Sequence, residues 1–237
     1  MPTLDEQSPT ILRIRVGETN CYLVRSAEGT ILVDPGPPGS APAIAARAAA
    51  AGVEPGEIRL ILITHGHLDH YGAADDVRAW CGAPLAAHPL APDLSRDRRN
   101  ALPPAQTLRG SLVRWTYLLL APLFPLRPLD VGIFLEEDAD LSAYGLEGRT
   151  ISLPGHAPGS LGILTARGDA LVGDLLVNYA VPSQPLYLSD RAAWQLSYER
   201  LRGLEPRRVY VGHGEPFAGD ALAHIYPGRY QFRWWVR

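Results

Sequence analysis

The chain has 237 residues, of which 46% are hydrophobic and 20% charged, a composition typical of a globular protein with a substantial core. Its net charge of −3 does not indicate binding to nucleic acid or to an anionic membrane surface. All of its basic residues are arginines, so a Schiff-base lysine, a P-loop lysine and a Ser-x-x-Lys nucleophile are excluded.

The composition also bears on redox state and location. Cys21 and Cys81 lie in apolar stretches far apart in the sequence, which favours two buried thiols over a disulfide. The first residues lack the basic and apolar regions of a signal peptide, so we expect a cytoplasmic protein. The longest apolar run, residues 115–126, is too short to span a membrane and is interrupted by Pro122 and Pro125.

The first third of the chain contains short β-branched and aliphatic runs that predict strands. An alanine-rich helix, a fully apolar strand, a second helix and another strand follow them. This alternation is typical of an α/β layered fold. The predicted strands are 10–16, 20–26, 29–36, 58–64 and 84–89, and the predicted helices are 41–52 and about 70–81.

Residues 91–130 interrupt the alternation with several prolines, an Arg/Asp-rich stretch and the apolar run named above. A connection of this length is rarely a plain loop. We expect an insertion in a single domain that covers 1–237. It would serve either as a lid over a substrate site or, alternatively, as a homodimer contact or a cover for a sheet edge.

The second half resumes the pattern of strands and helices, which suggests two similar halves packed face to face. The aromatic stretch 230–237 is expected to pack rather than to form a site. The predicted strands are 132–138, 148–156, 160–166, 170–176 and 207–214, and the predicted helix is 191–204.

Candidate metal ligands are concentrated in residues 63–72, which read ITHGHLDHYG. His65 and His67 are two residues apart, so in an extended segment they point to the same side. Asp69 continues this alternation, and His70 begins the next helix. Neutral imidazole is the commonest ligand of zinc and related ions, and a carboxylate adds charge balance.

These four side chains cannot complete one tetrahedral shell, and hydrolytic sites keep one position open for water. Further ligands are therefore expected on other strand-end loops. His156, Asp174 and His213 qualify, because each follows an apolar strand and lies beside a glycine that permits close backbone approach. His88 and His224 lack this context, and we expect structural or surface roles for them.

The segments THGHLDH, PGHAPGS, GDLL and VGHG occur in this order, after ILVDPG with its Asp34. With these motifs the chain, from about residue 10 to 217, resembles the metallo-β-lactamase-fold hydrolases, and within them the glyoxalase II-like group. The resemblance implies a four-layer αββα sandwich with two divalent metal ions, zinc with iron or manganese as alternatives, at one rim. It implies His65, His67 and His156 at one metal, Asp69, His70 and His213 at the second, Asp174 bridging both, and Asp34 as a supporting residue.

We therefore expect a dinuclear metal-dependent hydrolase that cleaves an ester, lactone or thioester of a small, hydrophobic or acyl-bearing molecule through a metal-bridging hydroxide. Asp69 is the candidate for orienting the nucleophile and moving a proton. Tyr179 is a candidate for substrate binding, since a nearby tyrosine holds the substrate carbonyl in the similar homoserine-lactone hydrolases. No basic residue lies between Asp174 and Arg191, which argues against a glutathione thioester.

Two alternatives use the same ligands. One is a phosphodiesterase or nuclease, against which the acidic net charge and the absence of a basic patch count, so we expect no nucleic-acid partner. The other is a persulfide dioxygenase, which would hold one iron ion in place of two zinc ions. Metal content and oxygen uptake distinguish these activities.

Overall fold

The computed structural model describes residues 10–91, 104–105, 108–120 and 128–226. Within these ranges the chain forms two β-sheets with helices outside them. The first strands are β1 (Thr10–Val16), β2 (Thr19–Arg25), β3 (Thr30–Val33), β4 (Ile58–Leu62), β5 (Leu85–Ala87) and β6 (Ile133–Phe134). The later strands are β7 (Gly148–Ser152), β8 (Leu161–Thr165), β9 (Asp169–Leu171), β10 (Val177–Asn178), β11 (Arg208–Tyr210), β12 (His213–Gly214) and β13 (Phe217–Ala218). The α-helices are α1 (Ala41–Ala50), α2 (Leu68–Tyr71), α3 (Ala74–Cys81), α4 (Leu108–Leu120) and α5 (Arg191–Gly203).

The first sheet has the strand order β10-β12-β2-β3-β4-β5-β6, with β1 paired to β2, and the second has the order β13-β11-β9-β8-β7. Strands β3 to β6 run parallel, as expected where helices connect them. The two halves of the chain are not separate, because β10 and β12 join the first sheet. The pairing of His213 with Thr19 makes that connection between β12 and β2.

Apolar side chains fill three layers of the described chain. In the first sheet, successive residues point to opposite faces, so Leu23 packs outward with α1 and α3 while Val24 packs inward. The inward side chains meet Ile163 and other residues of the second sheet. On the outer face of that sheet, Trp194 and Tyr198 of α5 form the third layer. This arrangement is the four-layer αββα sandwich that the resemblance implied.

The main difference from the predicted elements lies at about 70–81, where two helices replace one. Helix α2 ends at Tyr71, and α3 begins at Ala74. Gly72 packs so closely on Pro38 that an added Cβ would lie 2.4 Å from the proline Cδ. The helical path breaks at the next residue, Ala73, with φ −99° and ψ 12°, and this break gives the residues of α2 a direction separate from that of α3.

Most of the other predicted strands and helices agree in position and are shorter at their ends. The strand predicted for 170–176 is wrong beyond β9, because Gly173–Leu175 form a 3-10 turn. The prediction for 207–214 divides into β11 and β12, and the one for 132–138 reduces to β6. Part of the segment 91–130 forms α4, a helix that we did not predict, whereas the aromatic stretch 230–237 lies outside the described residues.

Both cysteines are free, as predicted, but only Cys21 is buried, because Cys81 ends α3 with its side chain partly exposed. Among the described residues, no helix combines the length and the apolar character needed to cross a bilayer.

Candidate metal centre

The seven predicted ligands lie together at one rim of the sheets, and all follow strands. His65 and His67 are on the loop after β4, and α2 carries Asp69 and His70. The other three come from the second half of the chain. His156 follows β7, Asp174 lies in the short turn after β9, and His213 begins β12.

The first group of ligand atoms consists of three imidazole nitrogens. The Nε2 of His65 and the Nε2 of His156 lie 3.0 and 2.9 Å from the Nδ1 of His67. All three side chains are buried, with 4% exposure or less. Such a convergence of nitrogens is compatible with a cation between them.

The second group contains the side chains of Asp69, His70 and His213. The Nε2 atoms of the two histidines are 3.4 Å apart, and the Oδ2 of Asp69 lies 3.6 Å from His70 and 3.3 Å from His213. Asp69 is the most exposed of the three, with 46% of its side chain accessible.

Asp174 lies between the two groups. Its Oδ2 is 3.4 Å from the Nε2 of His156 and 3.2 Å from the Nε2 of His213, while its Oδ1 is 3.5 Å from the Nε2 of His70. The Oδ1 is buried and has no hydrogen-bond partner within the described part of the chain. A buried carboxylate oxygen without a donor is costly unless a cation satisfies it.

Asp34 and Thr64 accept hydrogen bonds from the Nδ1 atoms of two of the histidines. The backbone N–H of Thr64 donates to the Oδ1 of Asp34 at 2.7 Å, and the Thr64 hydroxyl donates to Oδ2 at the same distance. The same Oδ2 accepts the Nδ1–H of His70 at 2.8 Å. Because the Thr64 proton goes to Asp34, its oxygen accepts the Nδ1–H of His65 at 3.0 Å.

Backbone carbonyls hold two further histidines. The Nδ1–H of His156 donates to the carbonyl of Tyr187 at 2.8 Å, and the Nδ1–H of His213 donates to that of Glu18 at 2.9 Å. These partners make Nδ1 a donor in both rings, so Nε2 is the nitrogen that faces the centre. His67 is the exception, since its Nδ1 faces the centre.

The loop that carries His213 is tied to β2 by buried hydrogen bonds. The Nδ2 of Asn20 donates to the carbonyls of Val211 and Gly214 at 2.9 and 2.7 Å. The hydroxyl of Tyr22 also donates to the Val211 carbonyl, at 2.7 Å. A strand of the first half thereby orients a ligand of the second half.

The two groups differ in protonation. Burial lowers the pKa of His67 to about 3, and the proximity of His156 acts in the same direction. Burial also lowers the pKa of His70, but Asp174, Asp69 and Asp34 outweigh it and raise that pKa to about 10. Burial would raise the pKa of Asp174, yet His213 and His70 hold it well below its usual range. The carboxylates are therefore anionic and attract positive charge.

A cavity of about 220 Å³ opens over the centre. Asp69 and His213 line its floor, and Val177, Leu186 and Tyr179 line its walls. The Tyr179 ring stacks on the His213 ring, with 6.3 Å between the centroids and 24° between the planes.

Sequence reasoning missed the residues that orient the ligands. Thr64 directly precedes His65, so its position was a usable signal. Tyr187, Glu18 and Asn20 lie far in sequence from the residues they contact. Tyr187 and Glu18 act through their backbone carbonyls and Asn20 acts on backbone carbonyls, which leaves no local pattern to find. His88 and His224 belong to none of the three groups of metal-capable side chains among the described residues.

The donor set fits metal ions. Within each of three groups, all ligand atoms lie within 4.8 Å of one another, and the groups are His65–His67–His156, His65–His70–Asp174 and Asp69–His70–His213. Imidazole and carboxylate are the ligands of zinc and iron hydrolytic centres. A bound cation would satisfy the Oδ1 of Asp174, which has no hydrogen-bond partner among the described residues.

The fold and this histidine–aspartate centre define a metal-dependent hydrolase of the αββα class. The family model of the metallo-beta-lactamase superfamily matches residues 14–213, and the chain belongs to that superfamily.

Several proteins of known description are similar to this chain. The probable metallo-hydrolase YflN of Bacillus subtilis strain 168 is 28% identical over 207 residues, covering 80% of this chain and 76% of YflN. A hydroxyacylglutathione hydrolase of Anaeromyxobacter dehalogenans strain 2CP-C is 34% identical over 165 residues, which are 69% of this chain and 49% of that protein. The crystal structure of TTHA1623 in a di-iron-bound form has a TM-score of 0.65 and 28% identity, covering 92% of this chain and 98% of TTHA1623.

Proposed function

We propose that the protein is a dinuclear metal-dependent hydrolase that cleaves an ester, lactone or thioester of a small molecule. The observation that carries this proposal is the position of Asp174, whose two oxygens face both groups of ligands. One carboxylate shared by two groups is what a pair of adjacent ions requires.

His65, His67 and His156 would hold one ion, and Asp69, His70 and His213 would hold the other. When bound, the two ions supply activation of water near neutral pH and polarisation of the bond under attack. Zinc is the proposed metal, because the donors are imidazoles and carboxylates, with iron or manganese as alternatives. The di-iron form of TTHA1623 supports keeping iron among them.

Asp69 is the proposed proton carrier. Its half-exposed carboxylate lines the cavity, and its Oδ2 lies 3.4 Å from the hydroxyl of Thr19. Partial desolvation by the surrounding side chains would raise the pKa of Asp69, but His70 and His213 hold it well below its usual range, so the group is anionic. An anionic carboxylate at this place can orient the attacking water and accept its proton.

Tyr179 and the apolar wall are proposed to bind the substrate. Burial raises the pKa of Tyr179, so its hydroxyl stays protonated at neutral pH and can donate to a carbonyl oxygen. Val177, Pro185 and Leu186 offer an apolar surface to the acyl group. No arginine lines the cavity among the described residues, which favours an uncharged acyl group over glutathione.

The test is a substrate panel combined with metal analysis. We expect two zinc ions per chain, no oxygen uptake, and hydrolysis of p-nitrophenyl esters or lactones in preference to hydroxyacylglutathione and bis-p-nitrophenyl phosphate. Asp69→Ala should lower kcat/KM by about 10²–10⁴-fold, the usual contribution of a positioned proton carrier.

The matched control is Asp76→Asn, at an exposed aspartate of α3 outside the centre, which should keep full activity. Full activity of the folded Asp69→Ala variant would refute the role of Asp69. One iron per chain with oxygen uptake would refute the hydrolase.

A further inference from the structure

Helix α4 exposes an apolar face to solvent. The exposed fractions are 89% for Leu108, 69% for Leu112, 66% for Trp115 and 77% for Leu119. Their spacing of four, three and four residues places them on one side of the helix. Contiguous exposed apolar side chains of this size mark a surface that contacts something else.

The segment of the sequence that contains this helix is opposite in net charge to the rest of the chain. Residues 91–130 contain six arginines and three aspartates, a net charge of +3, which leaves −6 for the remainder. Helix α4 itself contains Arg109 and Arg114 and no acidic residue. The overall charge of −3 therefore conceals a basic segment.

We propose that the face of Leu108, Leu112, Trp115 and Leu119, which we call the α4 face, docks on an anionic lipid surface. A helix with leucine and tryptophan on one side and only basic charges lies in the plane of a bilayer interface, where anionic headgroups attract the arginines.

A second copy of this chain is the less suitable occupant. A stable interface uses roughly 20–30 residues from each partner, whereas the α4 face offers four side chains on a helix about 20 Å long.

The α4 face is structurally connected to the cavity. The hydroxyl of Tyr187, which lines the cavity, donates to the carbonyl of Gly110 in α4 at 3.1 Å. Ala105, just before α4, forms a backbone bridge with Tyr187. Docking of the α4 face would therefore place the cavity beside the lipid surface.

The experiment is flotation of the metal-loaded full chain with vesicles of phosphatidylcholine alone or of phosphatidylcholine and phosphatidylglycerol in equal parts. We expect at least tenfold more bound protein on the anionic vesicles, falling as salt is raised. The double variant Leu112→Gln/Trp115→Gln should lose at least tenfold of that binding.

The matched control is Leu196→Gln. Leu196 is 68% exposed, nearly the same as Leu112, but it lies on α5. Its substitution should leave vesicle binding unchanged.

Equal binding of the wild type to both vesicle types, or retained binding by the double variant, would overturn the proposal. A dimer that the double substitution dissociates, without vesicle binding, would assign the α4 face to a second copy instead. None of these readouts depends on hydrolysis.

Discussion

Thr64 allows one carboxylate, that of Asp34, to position a histidine in each group of candidate ligands. Its hydroxyl donates to Asp34 and accepts from His65, while Asp34 also accepts from His70. The orientations of the His65 and His70 rings therefore both depend on the hydrogen bonds that Asp34 accepts. Removal of such an outer partner weakens metal binding without removing a ligand.

We expect Thr64→Val to weaken metal affinity by about 10–100-fold, because His65 loses the acceptor for its Nδ1–H. Competition with a chromophoric chelator measures this change. Thr64→Ser is the control, since it keeps the hydroxyl and should restore most of the affinity. Equal affinities in the Val and Ser variants would mean that the hydroxyl does not orient the histidine.

The raised pKa values of the second group predict that metal binding depends on pH. Despite burial, Asp174 and Asp69 raise the pKa of His213 well above its ordinary value, and that of His70 reaches about 10. Both imidazoles thus carry an extra proton at neutral pH in the metal-free protein, and ligation must displace it.

The apparent affinity should therefore rise with pH across the neutral range. Calorimetry of zinc binding in two buffers with different ionisation enthalpies should show one to two protons released per chain. Zinc binding with no proton release at neutral pH would contradict the protonation of His70 and His213.

The sequence predicted the clustered histidines and the strand-end side chains that the fold brings together, because ligand chemistry depends on residue type and spacing. It also placed Asp34 near the site through the resemblance. It could not locate Tyr187 or Asn20, whose contacts with His156 and the His213 loop join residues 31 or more positions apart. Such contacts depend on the packed fold and leave no local pattern.

The turn from β11 to β12 shows how an element adapts to the centre. An added Cβ on Gly212 would lie 2.1 Å from the Oδ1 of Asp174 and 2.7 Å from the Cε1 of His70. The backbone of this turn thus forms part of the wall around the shared carboxylate. Only glycine leaves space for that carboxylate.

Gly212→Ala should displace Asp174 and reduce the metal content, with affinity weakened by at least about 10–100-fold. Metal analysis after dialysis against a weak chelator measures the loss. The control is Gly203→Ala at the end of α5, where an added Cβ meets nothing within 4 Å. A fully loaded Gly212→Ala variant would show that the turn can move away at little cost.

At the scale of elements, the apolar runs predicted the strands well because their side chains are buried on one or both faces of a sheet. The α2–α3 break was not predicted, since both helices share one continuous sequence pattern and the backbone leaves the helical region at Ala73, a residue type that favours helices. Helix α4 was not predicted because four of its apolar residues face solvent and the prolines near it in the sequence suggested irregular structure.

Across the whole molecule, the centre joins the two halves of the chain. Four of the candidate ligands come from residues 65–70, and the other three lie just after strands β7, β9 and β11 of the second half. An ion bound by both sets stabilises the folded chain relative to the unfolded one, in which the sets are far apart.

Zinc at about 100 times its Kd should add about 2.7 kcal/mol of stability, or roughly 5–10 °C in Tm for a chain of this size. Thermal unfolding with zinc and with a chelator measures the shift. His213→Gln should reduce the shift, whereas His224→Gln, outside the centre, should keep it. A chelator that leaves the Tm of the wild type unchanged would contradict this prediction.

Because the candidate ligands come from both halves of the chain, they become available in a fixed order during synthesis and folding. During synthesis the loop after β4 is made long before the residues that follow β7, β9 and β11, so an early chain offers an ion only His65, His67, Asp69 and His70. The complete donor set exists only after β12 has paired with β2. Tight retention of metal is therefore a property of the finished fold, and it separates finished molecules from partly folded ones.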